Sequence, residues 1–149
     1  MGGAPVTPPG STREGLLLAL EADGTFRWVR YFGEVADAFT LAVDSRDRIT
    51  VGGAFNGAGS VNFGGGSRPV TGQSGWIAQY TAANVHVWDT IFGTVGESLT
   101  HSIAVGPGDT TAVVGSFTGS ADFGSGPRVS LEWSGTDPLR DAFIARLAD

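Results

Sequence analysis

Gly75-Trp76-Ile77-Ala78-Gln79-Tyr80 is the stretch on which the fold turns. Trp76, Ala78 and Tyr80 alternate with Ile77 and Gln79, the period of two that sends successive side chains to opposite faces of a strand. The stretch leads on through Trp88 to Phe92-Gly93. The same plan stands earlier at an offset of 75 − 15 = 60, where Gly15-Leu16-Leu17-Leu18-Ala19-Leu20 leads through Trp28 to Phe32-Gly33. A third opening, Ala142-Phe143-Ile144-Ala145-Arg146-Leu147, follows 142 − 75 = 67 residues later. Residues 16–22 alone have the Leu and Ala content of a helix. Their sister copies carry aromatic and β-branched residues on the two-residue period, which assigns a strand. Repetition at this interval means one supersecondary unit stacked on copies of itself.

Outward from these openings, each unit divides into short strands bounded by turn residues. In the first, strand 16–20 turns at Asp23-Gly24 into 26–32, a hairpin signal. Strand 39–43 turns at Asp44-Ser45-Arg46-Asp47 into 49–55, and a short segment follows at 60–63. In the second, 76–80 turns at Ala82-Ala83-Asn84 into 85–92. Strand 102–105 turns through Gly106-Pro107-Gly108-Asp109 into 111–117, with a short segment at 120–123. The offset changes to 105 − 43 = 62 at these hairpins and returns to 123 − 63 = 60, so insertions and deletions sit in turns. Loops 64–74 and 124–140 are expected to be variable and displayed. Residues 1–14 read as a flexible Pro/Gly linker and 15–149 as the repeat region. The linker directly after Met1 reads as the mark of upstream sequence cut away, with a native disordered terminus as the alternative.

Composition bounds the function classes. The chain has 149 residues, a net charge of −6 and nine basic residues, all of them arginine. It lacks the basic stripe of a nucleic-acid binder and any apolar run of about 18 residues that would span a membrane. Cysteine is absent, which removes disulfide scaffolds, thiolate metal sites and thiol catalysis. The first 12 residues contain no apolar core of a signal peptide. The 24 glycines and 7 prolines, 24 + 7 = 31, would suit a disordered chain, but regular apolar runs between them oppose that.

Catalytic and ligand motifs are weak beside the repeat. Trp28 and Trp88 hold one place in each unit and read as packing between units, with sugar stacking as the functional alternative. Trp76, aligned with Leu16 and Phe143, reads as core. Trp133 has no counterpart in the first unit and lies in a loop beside Glu132, where packing that covers the loop is the alternative to ligand binding. With Arg128, these two form the candidate ligand-binding set. His86 and His101 have no local carboxylate motif, so no metal or cofactor is expected. Asp44-Ser45-Arg46-Asp47 lacks the alternating oxygen ligands of a calcium loop and reads as a turn. Asp122-Phe123-Gly124 copies a kinase triplet, but the chain has no lysine to hold phosphates. Glu34/Asp37 and Glu97 fall at matching loop positions and read as solvated loop charges, with a glycosidase carboxylate pair as the functional alternative.

Taken together, several of these pieces resemble the SBBP-type β-propeller repeat of bacterial proteins. They are Asp141-Ala142-Phe143-Ile144-Ala145-Arg146-Leu147, the Trp28 and Trp88 returns, and the starts Leu41-Ala42-Val43-Asp44 and Ile103-Ala104-Val105-Gly106. Gly53-Ala54-Phe55-Asn56-Gly57 and Gly115-Ser116-Phe117-Thr118-Gly119 match too, as do the closing Asn62-Phe63-Gly64 and Asp122-Phe123-Gly124. Ala83-Asn84 departs from the usual Ser-Gly turn, and the second unit carries a longer loop before Asp141. The resemblance implies an all-β fold of tandem four-stranded antiparallel blades, about two per chain, with residues 41–44 and 103–105 near a central axis. It implies an outer strand pair first, a complete blade over about 39–92, and three strands of another over about 101–147. It also implies display outside the cell or at its surface.

Propellers take roughly 4–8 blades to hide their faces and edges, so about two blades must lean on further copies or further blades of a longer chain. A strand-swapped ring, in which the first outer pair completes a neighbour's blade, is the expected assembly; an open sandwich is the structural alternative. The function expected is a non-catalytic scaffold or protein-interaction module. The alternatives are a carbohydrate-binding module using Trp133, Arg128 and Glu132, and a hydrolase fragment using clustered acids.

Overall fold

A computed structural model of the chain describes residues 14–92, 96–131 and 139–147. Among these the fold is all-β, with one 3-10 turn at Pro107–Asp109 and no α-helix. The strands are β1 (Leu16–Leu20), β2 (Phe26–Tyr31), β3 (Ala36–Val43), β4 (Ile49–Phe55), β5 (Gly59–Asn62), β6 (Ser67–Val70), β7 (Gly75–Tyr80), β8 (His86–Phe92), β9 (Ser98–Val105), β10 (Thr111–Phe117), β11 (Ser120–Asp122), β12 (Pro127–Val129) and β13 (Asp141–Leu147). Every pairing is antiparallel and no sheet closes on itself. The central sheet has the order β3-β4-β7-β8, a second has β9-β10-β13, and β1-β2, β5-β6 and β11-β12 are two-stranded.

Local chemistry sets the turns. Between β1 and β2, Gly24 takes φ 83°, and the Asp23 carboxylate accepts the Thr25 N–H at 2.9 Å. Asp47, Asn84 and Asp109 close the later hairpins at φ 58°, 64° and 61°, left-handed conformations that Asn and Asp tolerate because their short polar side chains bond locally. Asp47 and Asp109 are the same position at an offset of 109 − 47 = 62.

Two apolar clusters flank the central sheet. On one side Leu17 and Phe32 of the first hairpin segment pack with Val51, Phe55, Trp76, Ala78 and Tyr80, joined by Val61, Phe63 and Val70 from the β5-β6 ribbon. On the other, Ile77 and Phe92 pack with Ile103, Val113, Phe117 and Phe143, joined by Ala121 from the β11-β12 ribbon and by Phe123 beside it. The second cluster copies the first. Phe92, Phe117, Phe123 and Phe143 stand where Phe32, Phe55, Phe63 and Trp76 do, at offsets of 92 − 32 = 60, 117 − 55 = 62, 123 − 63 = 60 and 143 − 76 = 67. The ring of Trp76 lies 4.8 Å from that of Phe32 and 5.0 Å from Phe63; that of Phe143 lies 5.6 Å from Phe92 and 4.2 Å from Phe123.

The middle strand β7 is therefore buried along its whole length. Its polar Gln79 is satisfied in place: the side chain donates to Thr50 Oγ1 at 3.1 Å and accepts Trp88 Nε1–H at 3.1 Å, as a buried amide must. Gly52-Gly53 of β4 permits close approach from two directions. A Cβ on Gly52 would lie 2.8 Å from Thr100 of β9, and one on Gly53 would lie 1.7 Å from the Asp37 carbonyl of β3.

Strand boundaries differ from the sequence expectation in two ways. β3 begins at Ala36 rather than 39 and β9 at Ser98 rather than 102. Bulges between Ala38 and Thr40, and opposite Val114/Gly115, shift the pairing and break the alternation that would have marked the extra residues. The expected display loops 64–74 and 124–140 also contain strands, β6 and β12, which fold their ribbons back against the two cores.

Candidate functional site

Chemistry-bearing side chains gather along the β11-β12 ribbon and the outer edge of β13. Two adjoining concavities lie there. A mostly apolar pocket of about 430 Å³ is lined by Val87, Trp88, Thr90 and Phe92 of β8, Phe123 and Gly124 at the ribbon and Leu147 of β13, with Arg48 as its one charged residue among those described. A more polar groove of about 720 Å³ follows β13 and includes Arg128, Asp141, Ile144 and Arg146. The edge of β13 away from β10 is unpaired among the described residues. Asp141 is used locally, its carboxylate accepting the Leu131 N–H at 2.9 Å.

Of the ligand-binding residues expected from sequence, Arg128 lies in this groove. It is exposed on β12, with Nη2 donating to Ser125 Oγ at 3.4 Å. Glu132 and Trp133 lie outside the described residues. Trp28 and Trp88 pack against the two cores, and Trp28 Nε1 donates to the Ala82 carbonyl at 3.1 Å. Trp76 is fully buried. His101 meets Ser116 Oγ at 3.0 Å. The matching acids have separate employments: buried Asp37 accepts a bond from Asn56, exposed Glu97 pairs with Arg140, and Glu34 is exposed.

Three further charged groupings, which no sequence motif marks, carry structure. Arg30 donates to Asn84 Oδ1 at 2.6 Å and to the Asn84 carbonyl at 2.7 Å, with its guanidinium 4.5 Å over the Tyr80 ring. On β8, the buried Asp89 carboxylate meets Arg68 of the first ribbon at 2.7 Å and His86 Nε2 at 2.8 Å. Asp109 bridges two neighbouring turns, accepting the Ser45 N–H at 2.9 Å and its hydroxyl at 3.0 Å, with Arg46 at 3.4 Å. These Ser45 bonds hold the Asp109 carboxyl below its ordinary value of 3.8. At Asp44 burial pushes the carboxyl up, but bonds from the Arg48 and Arg46 backbones and the Arg48 guanidinium more than offset it, leaving a lowered value. The signal for the second grouping was available: Arg68 and Arg128 are the same position in successive units, 128 − 68 = 60.

No family model matches the chain, and no curated protein does. No helix among the described residues is long and apolar enough to cross a membrane.

Proposed function

We propose that the chain is a non-catalytic scaffold of β-propeller type, an interaction module whose sheets are blades that stack on further units of their own kind. One observation carries the reading. The two packed interfaces inside the chain repeat each other at their aromatic positions, Phe32, Phe55, Phe63 and Trp76 in one and Phe92, Phe117, Phe123 and Phe143 in the other, so each sheet is built to be covered on both faces. The residue pattern resembling the SBBP-type repeat supports the same reading.

The outer faces carry the complementary halves of that interface. Leu16 and Leu18 align with the buried Trp76 and Ala78, yet are 41 % and 43 % exposed. Ile144 aligns with the buried Ile77 at 144 − 77 = 67, yet is 82 % exposed. Exposed apolar strand faces of this kind are association surfaces. Because β13 already holds the outer edge of β10, the assembly proposed is face-to-face stacking of copies, in place of exchange of β1 and β2. A head-to-tail contact between unlike faces gives a ring when its rotation closes.

Sedimentation velocity over a wide concentration range tests this. Association that Leu18→Glu and Ile144→Glu each abolish is the expected result. A chain that sediments as one monomer at every concentration ends the proposal.

A further inference from the structure

The first unit shows what occupies the space that is a pocket in the second. The pocket residues Trp88, Thr90, Phe123 and Gly124 correspond to Trp28, Arg30, Phe63 and Gly64 at an offset of 60, and Leu147 to Tyr80 at 147 − 80 = 67. In the first unit Trp28, Arg30, Gly64 and Tyr80 meet the chain entering β8, and Phe63 is tied to it through Arg30. Trp28 bonds the Ala82 carbonyl, and Arg30 bonds Asn84 and the Phe63 carbonyl. A Cβ on Gly64 would lie 2.8 Å from that of His86. The Tyr80 ring stands 5.9 Å from the His86 ring. The same walls in the second unit border the pocket and the groove.

The polar wall repeats as well. Arg68, on the first ribbon, holds the Asp89 carboxylate of β8 at 2.7 Å. Its counterpart Arg128 lines the groove along β13.

We propose that the edge of β13 left unpaired among the described residues, with this pocket and groove, is a binding site for an extended strand of the β8 type. The strand would carry a ring-bearing residue at the position of His86 and a carboxylate three residues on. Affinity comes from main-chain bonds to the β13 edge, the mode by which an extended segment augments a sheet. Selectivity comes from two places: the apolar pocket between Phe123 and Leu147 takes the ring, and Arg128 pairs with the carboxylate. Thr90 replaces Arg30 here, and the arginine that lines the pocket, Arg48, is engaged by Asp44, so the ring enters between apolar walls.

The site rests on the likeness of successive units and not on self-assembly, so the two are separable. A fluorescently labelled peptide of residues 82–92 is titrated into the whole chain and followed by anisotropy, with amide shifts mapped by NMR. Saturable one-to-one binding is expected, with shifts confined to the β11-β12 ribbon, β13 and the pocket-lining residues Trp88, Thr90 and Phe92 of β8. Arg128→Glu is expected to weaken it at least tenfold, and a peptide with Arg at the Asp89 position to regain binding to that variant. A scrambled peptide that binds equally, absence of saturation, indifference to Arg128→Glu, or shifts at β7 from displacement of the resident β8 would each overturn it. A chain that stays monomeric but binds the peptide ends only the stacking of copies. One that self-associates but ignores the peptide ends only the strand site.

Discussion

Asp109 joins the hairpin turn of one sheet to that of its neighbour through Ser45, at the cost of a left-handed backbone at φ 61°. Its carboxyl titrates below 3.8 in the folded chain because its acceptor oxygens are engaged by the Ser45 N–H and hydroxyl. The ionised form is thus favoured by folding. That contribution is fully present above the unfolded value near 3.8 and is lost as pH falls through the lower folded value. Asp44, likewise lowered, adds to the same acid limb. Asp109→Asn should lower the melting temperature at neutral pH, because the amide retains the acceptor but not the charge. The gap between the two proteins should shrink as pH falls below 3.8. Thermal melts from pH 7 to pH 2 check this; a constant gap across that range would refute the role given to the ionised carboxylate.

The β5-β6 and β11-β12 ribbons are pinned to the sheets by apolar side chains, and the first also by an arginine. In the first ribbon, the Arg68 side chain is 48 % exposed while the Asp89 side chain is 1 % exposed, so the partners differ in what they lose when separated. Removing Arg68 strands a buried carboxylate with His86 alone; removing the Asp89 charge leaves a guanidinium that water still reaches. Arg68→Ala should therefore cost more than Asp89→Asn, by about 1–3 kcal/mol, since an uncompensated buried charge is the expensive outcome. Urea unfolding of both variants decides it, and the opposite order would overturn the assignment. The framework of sheets was legible because Trp76, Ala78 and Tyr80 alternate with Ile77 and Gln79, and because their copies recur. The ribbons were legible by half: the segments at 60–63 and 120–123 mark β5 and β11, while their partners β6 and β12 carry no pattern. Ser67-Arg68-Pro69-Val70 has neither alternation nor a β-branched run, and Pro69 cannot donate to a ladder. The pairing of β6 with β5 is set by tertiary contacts of Val61, Phe63 and Val70 with the core. For the same reason the sequence reads Arg128 as a residue of loop 124–140, whereas its place is set by the ribbon.

Across the whole molecule, the repeat converts stability into a sum of sheet terms and contacts between neighbouring sheets. Phe92 belongs to the central sheet by its strand, yet its ring meets Phe123 and Phe143 of the following unit, each at 5.6 Å. It is 2 % exposed, so Phe92→Ala removes a fully packed ring and should cost about 3–5 kcal/mol. Most of that loss falls on the contact between sheets, because the ladders of β7 with β8 and of β10 with β13 do not pass through its side chain. In the native chain, amide exchange should be slowest in β4 and β7, the strands buried on both faces. In the variant, β9, β10 and β13 should open as a group and lose protection first, while β3, β4, β7 and β8 stay protected by the cluster around Trp76. Hydrogen exchange read by mass spectrometry separates the cases. Equal loss of protection in both sheets would mean that they fold as a single cooperative block, and the additive view of stacked units would fail for this chain.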